Sequence, residues 1–437
     1  MSMKFKFHTL GCKVNQYETQ AMEALLRQRG HEPTEGEADA VIINTCAVTA
    51  ESSRKSRQAV RRLRAENPNS VIAVCGCYSQ ISPEEASGLE ADIVFGSGQR
   101  NELLDALELA VAARDTEQAD SQCVSIDDPF QRRLFEELPA GSVSGRTRAM
   151  LKIEDGCDNF CTYCVIPYAR GRVRSLPPER AAAQAAALES QGYRELVITG
   201  IEISSYGKDL KRDGCRLYLA DVIEAISKAA PATRLRLGSL EPTIVTEEFC
   251  TRLSALGNVC PHFHLSLQSG CDKTLANMHR KYDSAAFYNA VVRLRDAFPG
   301  CALTADMITG FPGETEEDHA EALRFIRKCG FSDMHIFPYS ERPGTPAASM
   351  EGRILHRVRS DRAHQAQQVA DEMKREYLHS CIGKTLSVLF ETEENGISYG
   401  HSGNYCLVGA EGTGLRGLVE NVKITGVSGE NLVGLLV

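Results

Sequence analysis

The sequence lacks long apolar runs and an excess of positive charge. None of its 437 residues belongs to a run of about 18 consecutive apolar residues, so we expect no membrane span. The first residues, MSMKFKFHTLGC, hold no apolar segment long enough for a secretion signal, which predicts a cytoplasmic protein. A net charge of −9 argues against a surface coated in positive charge, but local basic patches could still bind RNA.

Cysteine, by contrast, is abundant, with 16 residues in the chain. In a secreted protein this number would suggest disulfides. Here the clustered spacings and the missing signal favour free thiols in a reducing compartment. The length allows two or three domains, and 43% hydrophobic with 24% charged residues is an ordinary composition for folded domains.

The most informative motif is GCDNFCTYC, which places Cys157, Cys161 and Cys164 in a CxxxCxxC pattern. Three thiolates at this spacing can bind three irons of a 4Fe–4S cluster and leave the fourth iron open to a small molecule. A structural zinc site is the alternative, but zinc usually has four protein ligands. No second cysteine pair follows at zinc-ribbon or zinc-finger spacing, so the pattern favours the cluster.

Three more cysteines follow predicted strands in the N-terminal part. KFKFHTL, AVIINTC, VIAVCGC and DIVFG are predicted as buried strands that alternate with helices, which indicates a parallel sheet. Cys12, Cys46 and Cys77 each lie at or just beyond the end of such a strand. Because these ends line one crevice in an open α/β sheet, the three thiols should converge and could hold a second cluster. Three separate structural cysteines are the less favoured alternative.

The pattern of elements divides the chain into segments. Six strand–helix units after residue 147 predict a βα barrel, which could be incomplete, with its active site at the strand ends. Short strands separated by Asn, Gly and Ser turns predict a small all-β barrel at the end of the chain. The predicted segments are an α/β domain at 1–113, a linker at 114–147, the central barrel at 148–375 and the small barrel at 376–437.

Two stretches are rich in arginine. Residues 54–64 carry six basic residues and no acid, and residues 353–362 hold four arginines. Either stretch could contact RNA phosphates. Taken alone, each is more simply interpreted as the solvated face of a helix.

These motifs together resemble the methylthiotransferases, radical S-adenosylmethionine (SAM) enzymes that insert sulfur and a methyl group at an unactivated carbon. The resemblance covers nearly the whole chain. It implies an N-terminal open parallel α/β domain, a partial radical-SAM barrel and a C-terminal TRAM-like RNA-binding barrel. The motifs that carry it are TLGCKVNQYE, NTCAVT, GCYSQ, KIEDGCDNFCTYCVIPYARGRVRS, ITGIEISSYG, LGSLEP, LSLQSG, DMITGFPGET and YSERPGTPA.

The resemblance implies two 4Fe–4S clusters and SAM as cofactors. Cys157, Cys161 and Cys164 match the ligands of the SAM-binding cluster. Cys12, Cys46 and Cys77 match the ligands of an auxiliary cluster that carries the sulfur. Cys75 in the CGC sequence is the alternative to Cys77, which GCYSQ aligns with the family position.

By the same resemblance, polar residues at strand ends should surround SAM. Glu202 stands where many relatives have His or Asn, so its role is left open. The residues expected around SAM are Tyr163, Thr199, Gly200, Ser239, Glu241, Gln268 and Asp306.

The run KVNQ after Cys12 most resembles the branch that methylthiolates C2 of N6-threonylcarbamoyladenosine at position 37 of tRNA. The implied partners are tRNA, a reducing electron donor and a sulfur donor. The threonyl carboxylate needs a cation, which Arg170, Arg172 or Arg174 could supply. A second role, binding to RNA phosphate, is equally favoured for these arginines.

Other substrates and functions stay open at this stage. Residues 383–437 contain three basic and six acidic residues, which is unusual for an RNA-binding barrel and keeps a ribosomal-protein aspartate as an alternative substrate. Isopentenyladenosine in tRNA is another alternative substrate. A redox-sensing iron–sulfur protein that binds RNA without chemistry is the alternative from a different class, but it would need only one cluster and no SAM.

Overall fold

An open parallel sheet forms the N-terminal part of the chain. The computed structural model describes residues 2–114, 122–140, 147–212 and 214–437. The sheet has the strand order β2–β1–β3–β4–β5–β6. Its elements are β1 (Lys4–Thr9), α1 (Lys13–Gln28), β2 (Glu32–Pro33), β3 (Ala40–Thr45), α2 (Ala50–Glu66), β4 (Val71–Gly76), α3 (Cys77–Ile81), α4 (Pro83–Ser87), β5 (Ile93–Phe95), α5 (Arg100–Ala113) and β6 (Cys123–Ser125).

The central strands β3 and β4 are buried along their whole length, as expected of parallel strands with helices on both faces. One face packs against α1 and α5 through residues such as Met22 and Leu103. The other face packs against α2 through Val60. The predicted α/β class is therefore confirmed for this part of the chain.

The stretch predicted as a linker contributes to the sheet. β6 pairs in parallel with β5 at its edge, and a short 3₁₀ turn covers Pro129–Gln131. Residues 115–121 and 141–146 of this stretch, including the GSVSG segment, lie outside the described residues.

Seven parallel strands build the central barrel, which is incomplete. They form two sheets of order β13–β10–β7 and β14–β15–β16–β17, and only Gly238 separates β13 from β14. The elements are β7 (Arg148–Lys152), β8 (Glu154–Asp155), α6 (Ile166–Arg170), β9 (Arg174–Ser175), α7 (Pro178–Ser190), β10 (Glu195–Thr199), β11 (Lys211–Arg212), β12 (Cys215–Arg216), α8 (Leu219–Ala229), β13 (Arg234–Leu237), β14 (Ser239–Leu240), α9 (Glu247–Ser254), β15 (His262–Gln268), α10 (Asp272–Asn277), α11 (Ser284–Ala297), β16 (Ala302–Thr309), α12 (Glu316–Cys329), β17 (Asp333–Pro338) and α13 (His356–Ser380).

A closed five-stranded barrel follows the long helix α13. Its strand order is β18–β19–β20–β22–β21. Leu378 and Cys381, at the end of α13, join its hydrophobic core, so the helix connects the two barrels. Among the described residues, no helix has the length and apolar character needed to cross a membrane. The strands are β18 (Thr385–Glu394), β19 (Ile397–Ser402), β20 (Leu407–Glu411), β21 (Val419–Ser428) and β22 (Asn431–Leu436).

Candidate active site

The three N-terminal cysteines follow three neighbouring strands. Cys12 lies between β1 and α1, Cys46 comes directly after β3, and Cys77 begins α3 directly after β4. Since β1, β3 and β4 are adjacent and parallel, the thiols meet at one edge of the sheet. We call these three residues the N-terminal triad.

Two glycines make this meeting possible. Gly11 has a φ of +104°, and a Cβ there would lie 2.8 Å from Cβ of Cys46. Gly76 has a φ of +106°, and a Cβ there would lie 2.5 Å from the carbonyl oxygen of Thr45. Any other side chain would clash at both positions, and in each case the next residue is a cysteine of the triad.

The electrostatics of the N-terminal triad suit a metal cluster. Burial raises the pKa of the Cys77 thiol to about 11, and the nearby Cys12 and Cys46 add to the rise. Arg170 donates from Nε to the sulfur of Cys77 at 3.3 Å. A bound cluster would convert the thiols to thiolates, and the guanidinium would offset part of their negative charge.

Cys75, the alternative ligand in the CGC sequence, lies elsewhere. It sits within β4 and packs into the core beneath α1 and α5, whereas Cys77 belongs to the cluster on the opposite face. The structure therefore brings Cys77, and not Cys75, together with Cys12 and Cys46.

The second triad lies in the loop between β8 and α6. Backbone hydrogen bonds hold the loop: the N–H of Cys157 donates to Gly171 O at 3.0 Å, and that of Cys164 donates to Cys161 O at 2.9 Å. Burial raises the pKa of Cys157 well above its ordinary range and that of Cys164 to about 12. Arg280 donates from Nη1 to the sulfur of Cys161 at 3.1 Å. Both triads thus combine three free thiols with one guanidinium, a donor set that fits 4Fe–4S clusters.

One cavity joins the two triads. It has a volume of about 700 Å³ and is lined by Cys12 from the N-terminal triad and by all three cysteines of the second. Of the residues predicted to surround SAM, five line this cavity: Tyr163, Thr199, Gly200, Ser239 and Asp306. Glu241 and Gln268 are not among its described lining residues. Glu241 still reaches the site indirectly, because it pairs with the cavity residue Arg280 at 3.1 Å.

The wall beside the second triad is acidic. Glu202 lines it, and Asn159 Nδ2 lies 3.4 Å from carboxylate oxygens of both Glu202 and Glu241. Burial, followed by the charge of Glu241, raises the pKa of Glu202 to about 7. Glu154, directly behind, is fully buried, and one of its carboxylate oxygens lacks a hydrogen-bond partner among the described residues. We refer to Glu202 and Glu241 as the acidic wall.

The cavity lining also contains two histidines held by one carboxylate. Nε2 of His264 lies 3.3 Å from Asp306, and Nδ1 of His335 lies 3.0 Å from it. Although burial acts in the other direction, these contacts hold the pKa of Asp306 below its usual range. The hydrogen bond to Asp306 raises the pKa of His335. Asp306 therefore positions two imidazoles at the cavity.

The arginines expected to bind substrate do not line the cavity. Arg170 is fully buried and pairs with Glu18 of α1. Arg174 is also buried, and it lies 3.4 Å from Asp155. Arg172 faces solvent and donates to Asp158 at 3.2 Å. The structure thus places Arg170 beside a cluster ligand and the other two outside the cavity.

Most arginines of the two basic stretches also have acidic partners. Arg54 pairs with Glu51, and Arg64 pairs with Asp92. In the second stretch Arg362 is buried against Glu314. Surface patches of this kind offer less free positive charge than the sequence suggests.

Among the cavity residues to which sequence reasoning gave no binding role are Arg280, His264, His335 and Lys13. The histidines left a signal, because each stands between two apolar residues of a strand, in FHL and MHI. Arg280 follows a short helix and has no comparable pattern.

Comparison with known proteins agrees with this architecture. Residues 4–96 match the Uncharacterized protein family UPF0004, and residues 151–326 match the Radical SAM superfamily. A radical S-adenosylmethionine methyltransferase from Kitasatospora setae shares the fold, with a TM-score of 0.55 and 15% identity over 90% of this chain and 79% of that one.

Curated relatives identify the family. The chain is 39% identical to the threonylcarbamoyladenosine tRNA methylthiotransferase MtaB of Bacillus subtilis, over 96% of this chain and 93% of the relative. It is 30% identical to a tRNA-2-methylthio-N(6)-dimethylallyladenosine synthase of Pelotomaculum thermopropionicum, over 99% of this chain and 97% of the relative. The chain therefore belongs to the tRNA methylthiotransferases of the radical SAM superfamily.

Proposed function

We propose that this chain methylthiolates C2 of N6-threonylcarbamoyladenosine at position 37 of tRNA. The observation that carries the proposal is the single cavity lined by cysteines of both triads. Such a cavity lets one substrate atom meet both cofactor sites. The higher identity to the relative named for threonylcarbamoyladenosine, 39% against 30%, supports this substrate.

Each triad would hold one 4Fe–4S cluster, with SAM at the second triad. When bound, these cofactors supply the one-electron chemistry and the sulfur and methyl groups that the base receives. The chain's own residues hold and orient them. Arg170 and Arg280 donate hydrogen bonds to one sulfur in each triad, which stabilises the negative charge of thiolate ligands.

The acidic wall offers a binding site for the ammonium group of SAM. Glu202 and Glu241 face each other across Asn159, and Arg280 is the cation that pairs with Glu241. A ligand ammonium would pair with the carboxylate of Glu202, which lines the cavity and is repelled by the charge of Glu241. Cys157 lies close enough for the charge of Glu202 to raise its pKa further, so this wall adjoins the second triad.

We assign a reducing electron donor and a sulfur donor as further partners, because the reaction consumes both. Since tRNA is the substrate, the enzyme would act in the cytoplasm. The closed C-terminal barrel is the TRAM-like element that we expect to contact the RNA.

A redox sensor is a weaker explanation of the same parts. Such a sensor needs one cluster, whereas here two triads open onto one cavity with an acidic wall suited to a ligand. A ribosomal-protein substrate has no support from the relatives described above, both of which are named for tRNA.

The test is nucleoside mass spectrometry of tRNA from a strain that lacks the gene. We expect 2-methylthio-N6-threonylcarbamoyladenosine to disappear, while N6-threonylcarbamoyladenosine remains. The wild-type gene should restore the product, and a Cys157→Ala gene, as the matched control, should not. Loss of the methylthio group from isopentenyladenosine or from a ribosomal protein instead would contradict the proposal.

A further inference from the structure

The inference concerns how the cavity recognises its substrate, and it rests on the proposed function. N6-threonylcarbamoyladenosine carries a carboxylate that an isopentenyl group lacks. Burying this charge without a partner would be unfavourable, because the carboxylate would lose its hydration and gain no compensating contact. The cavity must therefore supply a cation or a strong hydrogen-bond donor.

The arginines near the cavity cannot serve as that partner. Arg170 and Arg174 are buried in contacts with acids, and Arg172 faces solvent outside the cavity. Arg280 lines the cavity, but it is engaged by Glu241 and by the sulfur of Cys161.

Two other basic side chains in the cavity are available. Lys13 is exposed at the start of α1 and forms no ion pair or hydrogen bond within the described part of the chain. Nδ1 of His335 is taken by Asp306, while its Nε2 has no hydrogen-bond partner among the described residues. The side chain of His335 is 64% exposed, so it can reach a ligand.

These two residues line the same cavity. The charge of Lys13 acts on His335, which places the two groups within electrostatic range. Lys13 follows Cys12 of the N-terminal triad, whereas Glu202 of the acidic wall adjoins the second triad. Asp306 places a negative charge beside His335, but His264 and His335 occupy its oxygens.

We propose that Lys13 and His335 bind the carboxylate of the threonylcarbamoyl group and so determine substrate choice. Lys13 supplies one positive charge, and doubly protonated His335 donates from Nδ1 to Asp306, which fixes the orientation of the ring, and from Nε2 to the ligand carboxylate. His264, which is bonded through Nδ1 to Thr304 and through Nε2 to Asp306, supports this arrangement without a free nitrogen.

The test compares two anticodon stem–loop RNAs with the holoenzyme, one carrying N6-threonylcarbamoyladenosine and one carrying its methyl ester. The RNAs differ only at this carboxylate, which in the ester has lost its charge and gained a methyl group, so general RNA contacts cancel in the ratio of their rates. We expect the wild-type protein to prefer the acid by about ten-fold or more, as for a charge-assisted hydrogen bond.

Lys13→Met and His335→Phe should each lower kcat/KM for the acid by about ten-fold and leave the ester unchanged. Iron content and the far-ultraviolet circular dichroism spectrum should stay as in the wild type, and a folding defect would change both. The matched control is His379→Ala, an exposed histidine at the end of α13 outside the cavity. It should keep the full preference for the acid.

The inference would be overturned if Lys13→Met and His335→Phe lowered kcat/KM equally for both RNAs. It would also be overturned if both variants kept the wild-type preference for the acid. Loss of a non-iron metal from His335→Phe, measured by elemental mass spectrometry, would overturn it as well, because His264, Asp306 and His335 could also hold a metal ion. If the wild-type protein converts neither RNA, the proposed function fails. Equilibrium binding of the same two RNAs to wild-type and Lys13→Met protein then still decides whether the carboxylate is recognised here.

Discussion

At the scale of single residues, the two guanidiniums beside the triads control the charge of the cluster sites. Arg280 lies 3.1 Å from the sulfur of Cys161, and Arg170 lies 3.3 Å from that of Cys77. Hydrogen bonds to cluster sulfurs and nearby positive charge stabilise the reduced form. Both arginines therefore favour reduction.

The first prediction concerns the reduction potential. Arg280→Met should make the potential of the second-triad cluster more negative, because the reduced cluster loses a positive neighbour and a hydrogen bond. A redox titration followed by electron paramagnetic resonance measures it. Arg327→Met, which removes a half-exposed arginine of α12 outside the cavity, is the control and should leave the potential unchanged. An unchanged potential in Arg280→Met would contradict the assignment.

The second prediction separates the two cysteines of CGC. Cys77→Ala should remove the iron of the N-terminal triad, about half of the total if each triad holds one cluster. Cys75→Ala should keep all the iron and lower the free energy of unfolding by about 1 kcal/mol, since it only removes the sulfur of a buried side chain. Iron assays on the two purified variants are sufficient. Iron loss in Cys75→Ala would show that the wrong cysteine was chosen.

At the scale of elements, one buried carboxylate joins the N-terminal domain to the central barrel. Glu18 on α1 accepts hydrogen bonds from Arg100 of α5 at 2.8 Å and from Lys152 of β7 at 3.0 Å, and it also pairs with Arg170 of α6. These contacts set the position of one triad relative to the other.

The third prediction follows from that contact set. Glu18→Ala should lower the free energy of unfolding by about 3–5 kcal/mol, because it removes a carboxylate shared by three buried cations, and only Lys152 and Arg170 keep a second acidic partner, Asp155. Glu23→Ala on the same helix removes only an exposed pair with Arg27 and should cost about 0.5 kcal/mol. Urea denaturation of both variants measures the difference. Similar losses in the two variants would mean that the buried contacts contribute little.

The fourth prediction concerns acid stability. Glu195 on β10 is fully buried, and burial alone would raise its pKa. The guanidiniums of Arg236, Arg234 and Arg148 outweigh this and lower the pKa from 4.5 to about 2. Its ionised form thus stabilises the fold above pH 4.5 by about 3 kcal/mol, and this contribution is lost as the pH falls toward 2.

Glu195→Gln tests the sign of this effect. The difference in unfolding free energy between wild type and variant should be largest above pH 4.5 and should shrink as the pH falls toward 2. Denaturation at a series of pH values measures it. A difference that does not change with pH would refute the proposed role of the ionised carboxylate.

At the scale of the whole molecule, the two triads belong to different parts of the chain but share one cavity. The fifth prediction is that their roles separate. A protein with Cys12, Cys46 and Cys77 all changed to Ala should still cleave SAM to 5′-deoxyadenosine, but it should form no methylthio product. The matched variant, with Cys157, Cys161 and Cys164 changed to Ala, should lose SAM cleavage and keep about half of the iron. Methylthio product from the first variant would overturn this division.

Much of the fold could be predicted from local patterns. β3 and β4 are continuous apolar runs, so their burial inside a parallel sheet followed from the sequence. β6 could not be predicted in this way, because its three residues are half-exposed and gain their partner only at the edge of the sheet. Among candidate site residues, the positions of Thr199 and Ser239 at strand ends brought them to the cavity as expected.

The sequence by itself determined the donor sets and the class of chemistry. The spacing of Cys157, Cys161 and Cys164 is local, so a single loop can present all three thiols whatever the rest of the chain does. Cys12, Cys46 and Cys77 converge because each follows a strand of one parallel sheet.

Only the tertiary structure decided which charged groups meet the substrate. Arg170 and Arg174 look available in YARGRVRS, yet they are buried against acids that lie far away in the sequence or across a turn. Lys13 and His335 are more than 300 residues apart, and they share a cavity only because the fold places the start of α1 and strand β17 at its border. Burial and charge pairing depend on contacts distant in sequence, and residue spacing carries no record of those contacts.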